Sequence, residues 1–149
     1  MITKGCGAAL FNILLMTIGV FGPWAKSPFW TENGLDGSAP GIAVLVVALL
    51  AATTTFAYYR KPLRITGVII VSLAIWAIYA TVHAYNDVTS FINDHSIGDY
   101  TLVSIGWGLN LTLTTSVALL VVGLYMTYKG RNRNRDEIKY YFFNSKNKE

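Results

Sequence analysis

The residues best suited to chemistry lie in the second half of the chain, where histidines and carboxylates occur close together. His83 and Asp87 are four positions apart, so a helix that continues through both would place them on one face. Asp94, His95 and Asp99 follow shortly afterwards and could join them. Imidazole nitrogen and carboxylate oxygen together suit zinc or a similar divalent ion, and histidine changes charge near neutral pH. Their spacing matches no metal-binding signature, so a solvated acidic surface is the alternative interpretation.

Other arrangements that carry catalysis are missing from the sequence. It has no nucleophile–base pair, no phosphate-binding loop, no CxxC motif and no HExxH motif. Cys6 is the only cysteine, so an intrachain disulfide is ruled out. The sequence therefore predicts neither an enzyme nor a bound cofactor.

The candidate histidines and carboxylates lie between long apolar runs, which must form the elements that position them. Apolar residues make up 53% of the chain and charged residues 13%, about half the charged share of an ordinary soluble domain. A helix of roughly 20 apolar residues crosses the hydrocarbon core of a bilayer. We therefore predict an all-α integral membrane protein, an antiparallel bundle of four transmembrane helices in residues 1–128, followed by a cytoplasmic tail in residues 129–149. The predicted spans are about 7–24, 40–59, 64–85 and 101–128.

The charges segregate between the two predicted sides of the membrane. One side carries the basic residues Lys4, Arg60, Lys61, Arg64 and the basic tail. The other carries Glu32, Asp36, Asp87, Asp94 and Asp99 against the single base Lys26. Positive charge marks the cytoplasmic side, so both termini are predicted to be cytoplasmic, and the net charge of +4 does not indicate a nucleic-acid partner.

Aromatic and basic residues mark the predicted interfaces with lipid or a protein partner. Pro23 should end the first helix and leave Trp24 at the membrane interface, with Phe29 and Trp30 in a loop behind it. The turn formers around them predict a compact loop and not a strand. In the tail, a basic cluster should bind anionic lipid at the inner leaflet, and four bulky aromatic residues should embed in the interface or dock on a partner. These tail residues are Arg131, Arg133, Arg135, Tyr140, Tyr141, Phe142 and Phe143.

The polar residues within the spans are uncharged. Asn12 and Thr54 lie at similar predicted depths on the first two helices, which favours an amide-to-hydroxyl bond between them. Asn110 lies near the middle of the fourth predicted span, followed by Thr112 and Ser116. Small and hydroxyl residues of this kind let membrane helices approach closely, so interhelical packing is favoured over a substrate path.

Three short motifs carry a resemblance. Pro23-Trp24 follows the first span, Gly34 to Gly37 reads GLDG, and Gly106 to Leu109 reads GWGL at the last span. In these features the chain resembles small bacterial four-span membrane proteins, notably actinobacterial ones, many of which have no assigned activity. The resemblance implies a prokaryotic or phage origin and a plasma-membrane location.

Three hypotheses for function remain open. The lack of ionisable residues at depth, together with aromatic loops and a basic tail, favours a non-catalytic accessory subunit of a respiratory or transport complex. A small stand-alone effector, such as a phage exclusion or immunity protein, needs the same features. A self-assembled pore or a lipid-binding protein would use Asn110, Thr112 and Ser116.

Overall fold

The structure is a computed structural model that describes residues 4–36, 39–57, 63–94, 96–97, 100–101 and 103–146. The described residues form four helices, α1 Lys4–Phe21, α2 Ala39–Ala57, α3 Leu63–Asp94 and α4 Trp107–Lys146. They also form five short strands, β1 Pro23–Lys26, β2 Thr31–Asn33, β3 Ser96–Ile97, β4 Tyr100–Thr101 and β5 Ser104–Ile105. The predicted helical class is thus confirmed, with two small sheets added to it, β2-β1-β5 and the pair β3-β4.

Three of the helices are long and apolar enough to cross a membrane. These stretches are Ala39–Ala57, Arg64–Asp94 and Trp107–Gly130. In α1 the apolar stretch is shorter, from Gly5 to Phe21. At about 1.5 Å per residue it extends roughly 26 Å, a little less than the ~30 Å of hydrocarbon in a typical bilayer.

The helices pack in a closed ring, in which each one contacts the two helices next to it in the cyclic order α1, α2, α3, α4. Gly5 lies beside Met126 and Gly19 beside Thr112, so α1 and α4 are antiparallel. The most extensive contacts are those of α4 with α3 and with α1. α4 is therefore the helix with the most extensive packing against its neighbours.

The charged residues lie at opposite ends of this bundle. Gly130 lies against Arg64, which puts Arg64, Lys129 and the start of α1 together at what we call the basic end. Glu32, Asp36, Asp87 and Asp94 lie at the other end, which we call the acidic end. This segregation agrees with the charge pattern of the sequence.

Small residues dominate the interior where the helices meet. Alanine occupies many of the buried positions, including Ala48, Ala51, Ala74 and Ala77. Larger buried side chains such as Met16 fill the space between them. Because lipid tails are as apolar as leucine, helices in a membrane are held together by such close packing and not by hydrophobic burial.

The prediction of a loop without strands after the first helix is wrong. β1 pairs antiparallel with β2, and on its other edge with β5, which gives the order β2-β1-β5. A tight turn closes the β1–β2 hairpin, where the Ser27 amide donates to the Trp30 carbonyl over 2.8 Å. The residues that favour turns lie in this turn and at the ends of the hairpin. The residues between them pair their backbone N–H and C=O groups across the two strands.

The helix boundaries differ most from the predicted spans in α3 and α4, whereas α1 is shifted by three residues, to Lys4–Phe21. α3 continues to Asp94 and α4 begins at Trp107 and continues to Lys146. No glycine or proline interrupts residues 85–94 or 131–146, so each helix continues into polar sequence beyond its apolar stretch. The start of the fourth predicted span instead contributes β4 and β5.

Candidate functional site

A cavity of about 240 Å³ opens at the acidic end of the bundle. It lies between the β1–β2 hairpin, the first turn of α2 and the last turns of α3. Its lining combines apolar and acidic groups. The lining residues are Trp24, Ala25, Glu32, Asn33, Asp36, Pro40, Ala84, Asp87, Val88 and Phe91.

Trp24 packs beneath the hairpin at this cavity. Its side chain is 3% exposed, and its indole Nε1 donates to the Gly19 carbonyl over 3.0 Å. Gly34 passes so close to the ring that a Cβ there would lie 2.6 Å from Trp24 Cε2. Trp24, expected at the membrane interface from its sequence position, is buried within the protein, because β1 folds back against the end of α1. Its indole adds a second donor to the Gly19 carbonyl, which also accepts from the Gly22 amide over 3.2 Å.

The other two aromatic residues of the hairpin differ in exposure. Trp30 makes an edge-to-face contact with Phe91 of α3, with ring centroids 6.0 Å apart and an angle of 71°. Trp30 is 37% exposed, whereas Phe29 is 90% exposed at the tip of the hairpin. Trp30 therefore fastens the hairpin to α3, and Phe29 projects from it.

Local hydrogen bonds hold the turn that carries Asp36. The Asn33 amide donates to Asp36 Oδ2 over 3.0 Å, and the Leu35 amide donates to Asn33 Oδ1 over 2.8 Å. The Gly34 amide in the same turn donates to the Val20 carbonyl over 2.9 Å. These bonds fix the carboxylate of Asp36 at one wall of the cavity.

The candidate metal residues are only partly brought together. α3 continues through His83 and Asp87, and His83 Nδ1 lies 2.9 Å from Asp87 Oδ2, with both side chains more than half exposed. Asp94 lies exposed at the last position of α3. His95 and Asp99 lie outside the described residues. Within the described part of the chain, no group of three or more His, Cys, Asp or Glu residues could hold a metal ion.

The predicted bond between Asn12 and Thr54 is replaced by bonds within each helix. Asn12 Nδ2 donates to the Ala8 carbonyl over 2.9 Å, and Thr54 Oγ1 donates to the Leu50 carbonyl over 2.7 Å. A threonine hydroxyl in a helix is within reach of the carbonyl four positions earlier, so this bond needs no rearrangement of neighbouring helices.

Thr112 and Ser116 lie where α4 contacts α1. Thr112 Oγ1 donates to the Gly108 carbonyl over 2.8 Å, and a Cβ on Gly19 would lie 2.5 Å from Thr112 Oγ1. Ser116 Oγ contacts Met16 Sδ across the interface at 3.3 Å and donates to the Thr112 carbonyl over 2.7 Å. Both side chains are fully buried.

Asn110 does not share this face. It is exposed in the first turn of α4, because that helix begins at Trp107 and not at the predicted start of the span. At about 100° per residue, it also points roughly 200° away from Thr112. The three residues therefore do not line one path along α4.

The tail residues named above lie in the backbone of α4. Arg131, Arg133 and Arg135 follow the apolar stretch of the helix directly, and residues 140–143 lie about two turns further on.

Two of the cavity residues, Glu32 and Asp36, are identified in the sequence only as charged residues of a predicted loop. No local signal could identify them as cavity residues, because the cavity joins residues from both halves of the chain.

The sequence matches no protein-family model and no curated protein. Arguments about function therefore start from the bundle, the cavity and the charges described above.

Proposed function

We propose that the chain is a four-span protein of a prokaryotic plasma membrane, with both termini in the cytoplasm, and that it serves as a non-catalytic accessory subunit of a larger membrane complex. The proposal treats α1 as a fourth span despite its shorter apolar stretch. It assigns the basic end to the cytoplasm, as the distribution of positive charge favours.

The observation that carries this proposal is the chemistry of the bundle interior. Among the described residues, the buried polar side chains are all threonine or serine, with no buried carboxylate, lysine or arginine. The hydroxyls of Thr55, Thr81, Thr112, Thr115 and Ser116 are bonded to helix carbonyls. Coupled transport and proton relays ordinarily use ionisable groups at depth, so this interior favours a packing role.

The outer surface of the bundle supports the same proposal. Each helix presents large apolar side chains away from its neighbours, available to lipid or to a partner's helices. Examples are Phe11 and Leu14 on α1, Leu49 and Phe56 on α2, Trp76 and Tyr79 on α3, and Val121 and Leu124 on α4.

The continuous α4 offers a second area for contact. Its backbone extends past Gly130 to Lys146, which at 1.5 Å per residue is about 24 Å. A partner subunit with an acidic cytoplasmic face would bind the basic residues of this extension, and its apolar grooves would take the aromatic ones.

The test is a pull-down of the tagged full-length chain from native membranes in mild detergent, followed by native-gel sizing and mass spectrometry. We expect one large membrane complex in stoichiometric yield. A variant that ends at Gly130 should lose most of this complex, whereas Asp94→Asn, at the opposite end of the bundle, should retain it.

Recovery of the chain as a lone monomer after gentle extraction would contradict the accessory role. Recovery as a homo-oligomer with no other protein would also contradict it, and would favour a self-assembled pore. In that case α4 would be the first helix to mutate.

A further inference from the structure

We propose that the cavity at the acidic end binds a small organic cation, such as a quaternary or primary ammonium group carried on a short apolar body. This inference does not depend on the accessory role proposed above. It rests on the shape of the cavity, the charge of its lining and the rigidity of the residues that form it.

The shape of the cavity suits a compact ligand. At about 240 Å³, the cavity lies just below the roughly 300–1,000 Å³ of typical small-molecule sites, so it suits a small ligand. Trp24, Pro40, Val88 and Phe91 supply apolar and aromatic walls. Small-molecule sites are typically concave and mostly apolar, with a few polar groups that fix the ligand's orientation.

The charge of the lining gives the expected sign of the ligand. Glu32, Asp36 and Asp87 contribute carboxylates, and no basic side chain is among the described residues that line the cavity. His83 contacts Asp87 but does not line the cavity. A cation placed near these carboxylates is attracted by their negative charge.

An organic cation fits this lining better than a metal ion does. The described residues contain no group of three acidic, histidine or cysteine side chains that could hold a metal ion. Apolar walls offer a metal no ligands, but they accept the hydrocarbon part of an alkylammonium ion. Phe91, which is 39% exposed, adds an aromatic wall for that hydrocarbon part.

The residues that form the cavity are held in place by contacts within the protein. Trp24 is fixed by its bond to the Gly19 carbonyl, Asp36 by the Asn33 amide and Phe91 by its contact with Trp30. A site that is formed before the ligand arrives loses little conformational entropy on binding.

The experiment uses choline as the probe and 3,3-dimethylbutan-1-ol as its uncharged isostere. Purified full-length protein in dodecyl maltoside and sodium phosphate is titrated by calorimetry, since this detergent and buffer contain no competing ammonium group. We expect saturable binding of choline with a dissociation constant of about 1 mM or lower, and binding of the alcohol at least about tenfold weaker.

Substitutions assign the binding to the cavity. Glu32→Gln removes one exposed carboxylate at the lining and should weaken choline binding by about fivefold, and Glu32→Gln combined with Asp87→Asn by more than about tenfold. Asp94→Asn removes the same charge from the end of α3, outside the cavity, and should change binding by less than about twofold. Circular dichroism on each variant establishes that it is folded.

Three results would overturn the proposal. They are binding of the uncharged alcohol as tight as that of choline, a Glu32→Gln protein that binds choline like the wild type, and equal losses from Glu32→Gln and Asp94→Asn. Because Glu32 is exposed on a strand, its variant decides the question even if the Asp87→Asn change disturbs α3.

Discussion

Burial of Trp24 is the residue-level feature that organises the acidic end. A tryptophan directly after an apolar run ordinarily lies at the membrane interface, with its indole among lipid headgroups. Here the same amphipathic side chain is buried, and its single donor bonds to the Gly19 carbonyl near the end of α1. The ring thereby connects α1, the hairpin and the cavity.

Replacing this side chain should therefore destabilise the protein strongly. We expect Trp24→Ala to lower the free energy of unfolding by about 3–5 kcal/mol, the usual range for a buried aromatic residue. Trp24→Phe keeps most of the packing but leaves the Gly19 carbonyl without its indole donor, so it should cost about 1–2 kcal/mol. Thermal unfolding of the purified protein in detergent measures both changes.

Trp76 provides the matched control for this prediction. It is 64% exposed on the outer surface of α3, so Trp76→Ala removes the same side chain with little loss of packing inside the bundle. Equal losses of stability from Trp24→Ala and Trp76→Ala would show that burial of Trp24 does not contribute as described.

At the scale of elements, glycine determines how closely α1 and α4 approach. A Cβ on Gly108 would lie 2.5 Å from the Gly22 backbone carbon and 2.6 Å from the Gly19 carbonyl oxygen. These contacts are with backbone, which cannot rotate away as a side chain can. Thr112 and Ser116 continue the interface along α4 with small side chains.

Gly108→Ala should accordingly push the two helices apart. The expected loss is about 1–3 kcal/mol, the usual cost of overpacking, and it outweighs the gain of up to about 1 kcal/mol that alanine brings to a helix. Resistance to unfolding in increasing sodium dodecyl sulfate measures this effect.

Gly5→Ala is the control, since it brings the same change in helix propensity near the other end of α1. A Cβ there meets only the side chain of Met126, at 2.8 Å from Cγ, and no backbone atom of a neighbouring helix. Because a side chain yields more readily than backbone, Gly5→Ala should cost less than Gly108→Ala. A Gly108→Ala protein as stable as Gly5→Ala would contradict the close approach of the two backbones.

At the scale of the whole molecule, the two ends of the bundle differ in charge and in architecture. The acidic end carries the sheet, the cavity and the last turns of α3, whereas the basic end continues into the long extension of α4. This difference allows the proposed topology to be tested with a pair of matched serines.

Both serines are changed to cysteine in a Cys6→Ala background, because Cys6 is the only native cysteine. If the acidic end faces outward, Ser90→Cys on α3 should react with a membrane-impermeant maleimide in spheroplasts. Ser145→Cys near the end of α4 should react only after permeabilisation. Gel-shift labelling of the two variants measures this difference.

A third variant tests whether α1 crosses the membrane. With four spans, Thr3→Cys lies on the same side as Ser145→Cys and should be protected in spheroplasts. Labelling of Thr3→Cys together with Ser90→Cys would instead mean that only three helices span the membrane. Labelling of both Thr3→Cys and Ser145→Cys, with Ser90→Cys protected, would mean that the proposed orientation is reversed.

The sequence by itself determined the features that depend on neighbours along the chain. Apolar runs long enough to span a bilayer became helices, and the charges separated between the two ends of the bundle. The four-residue spacing of His83 and Asp87 was sufficient to place them in contact, because helix geometry sets it locally. Thr112 and Ser116 were recognisable as packing positions from their small size and helical spacing.

Only the tertiary structure decided the features that join distant segments. β1 pairs with both β2 and β5, so residues that lack strand character locally form a sheet, and Trp24 is buried beneath it. The cavity joins Glu32 on the hairpin to Asp87 on α3. Periodicity reports on one segment at a time, so it carries no information about which loop will cover which helix end. That depends on the closed order of the four helices and on the backbone groups that their ends leave to be satisfied.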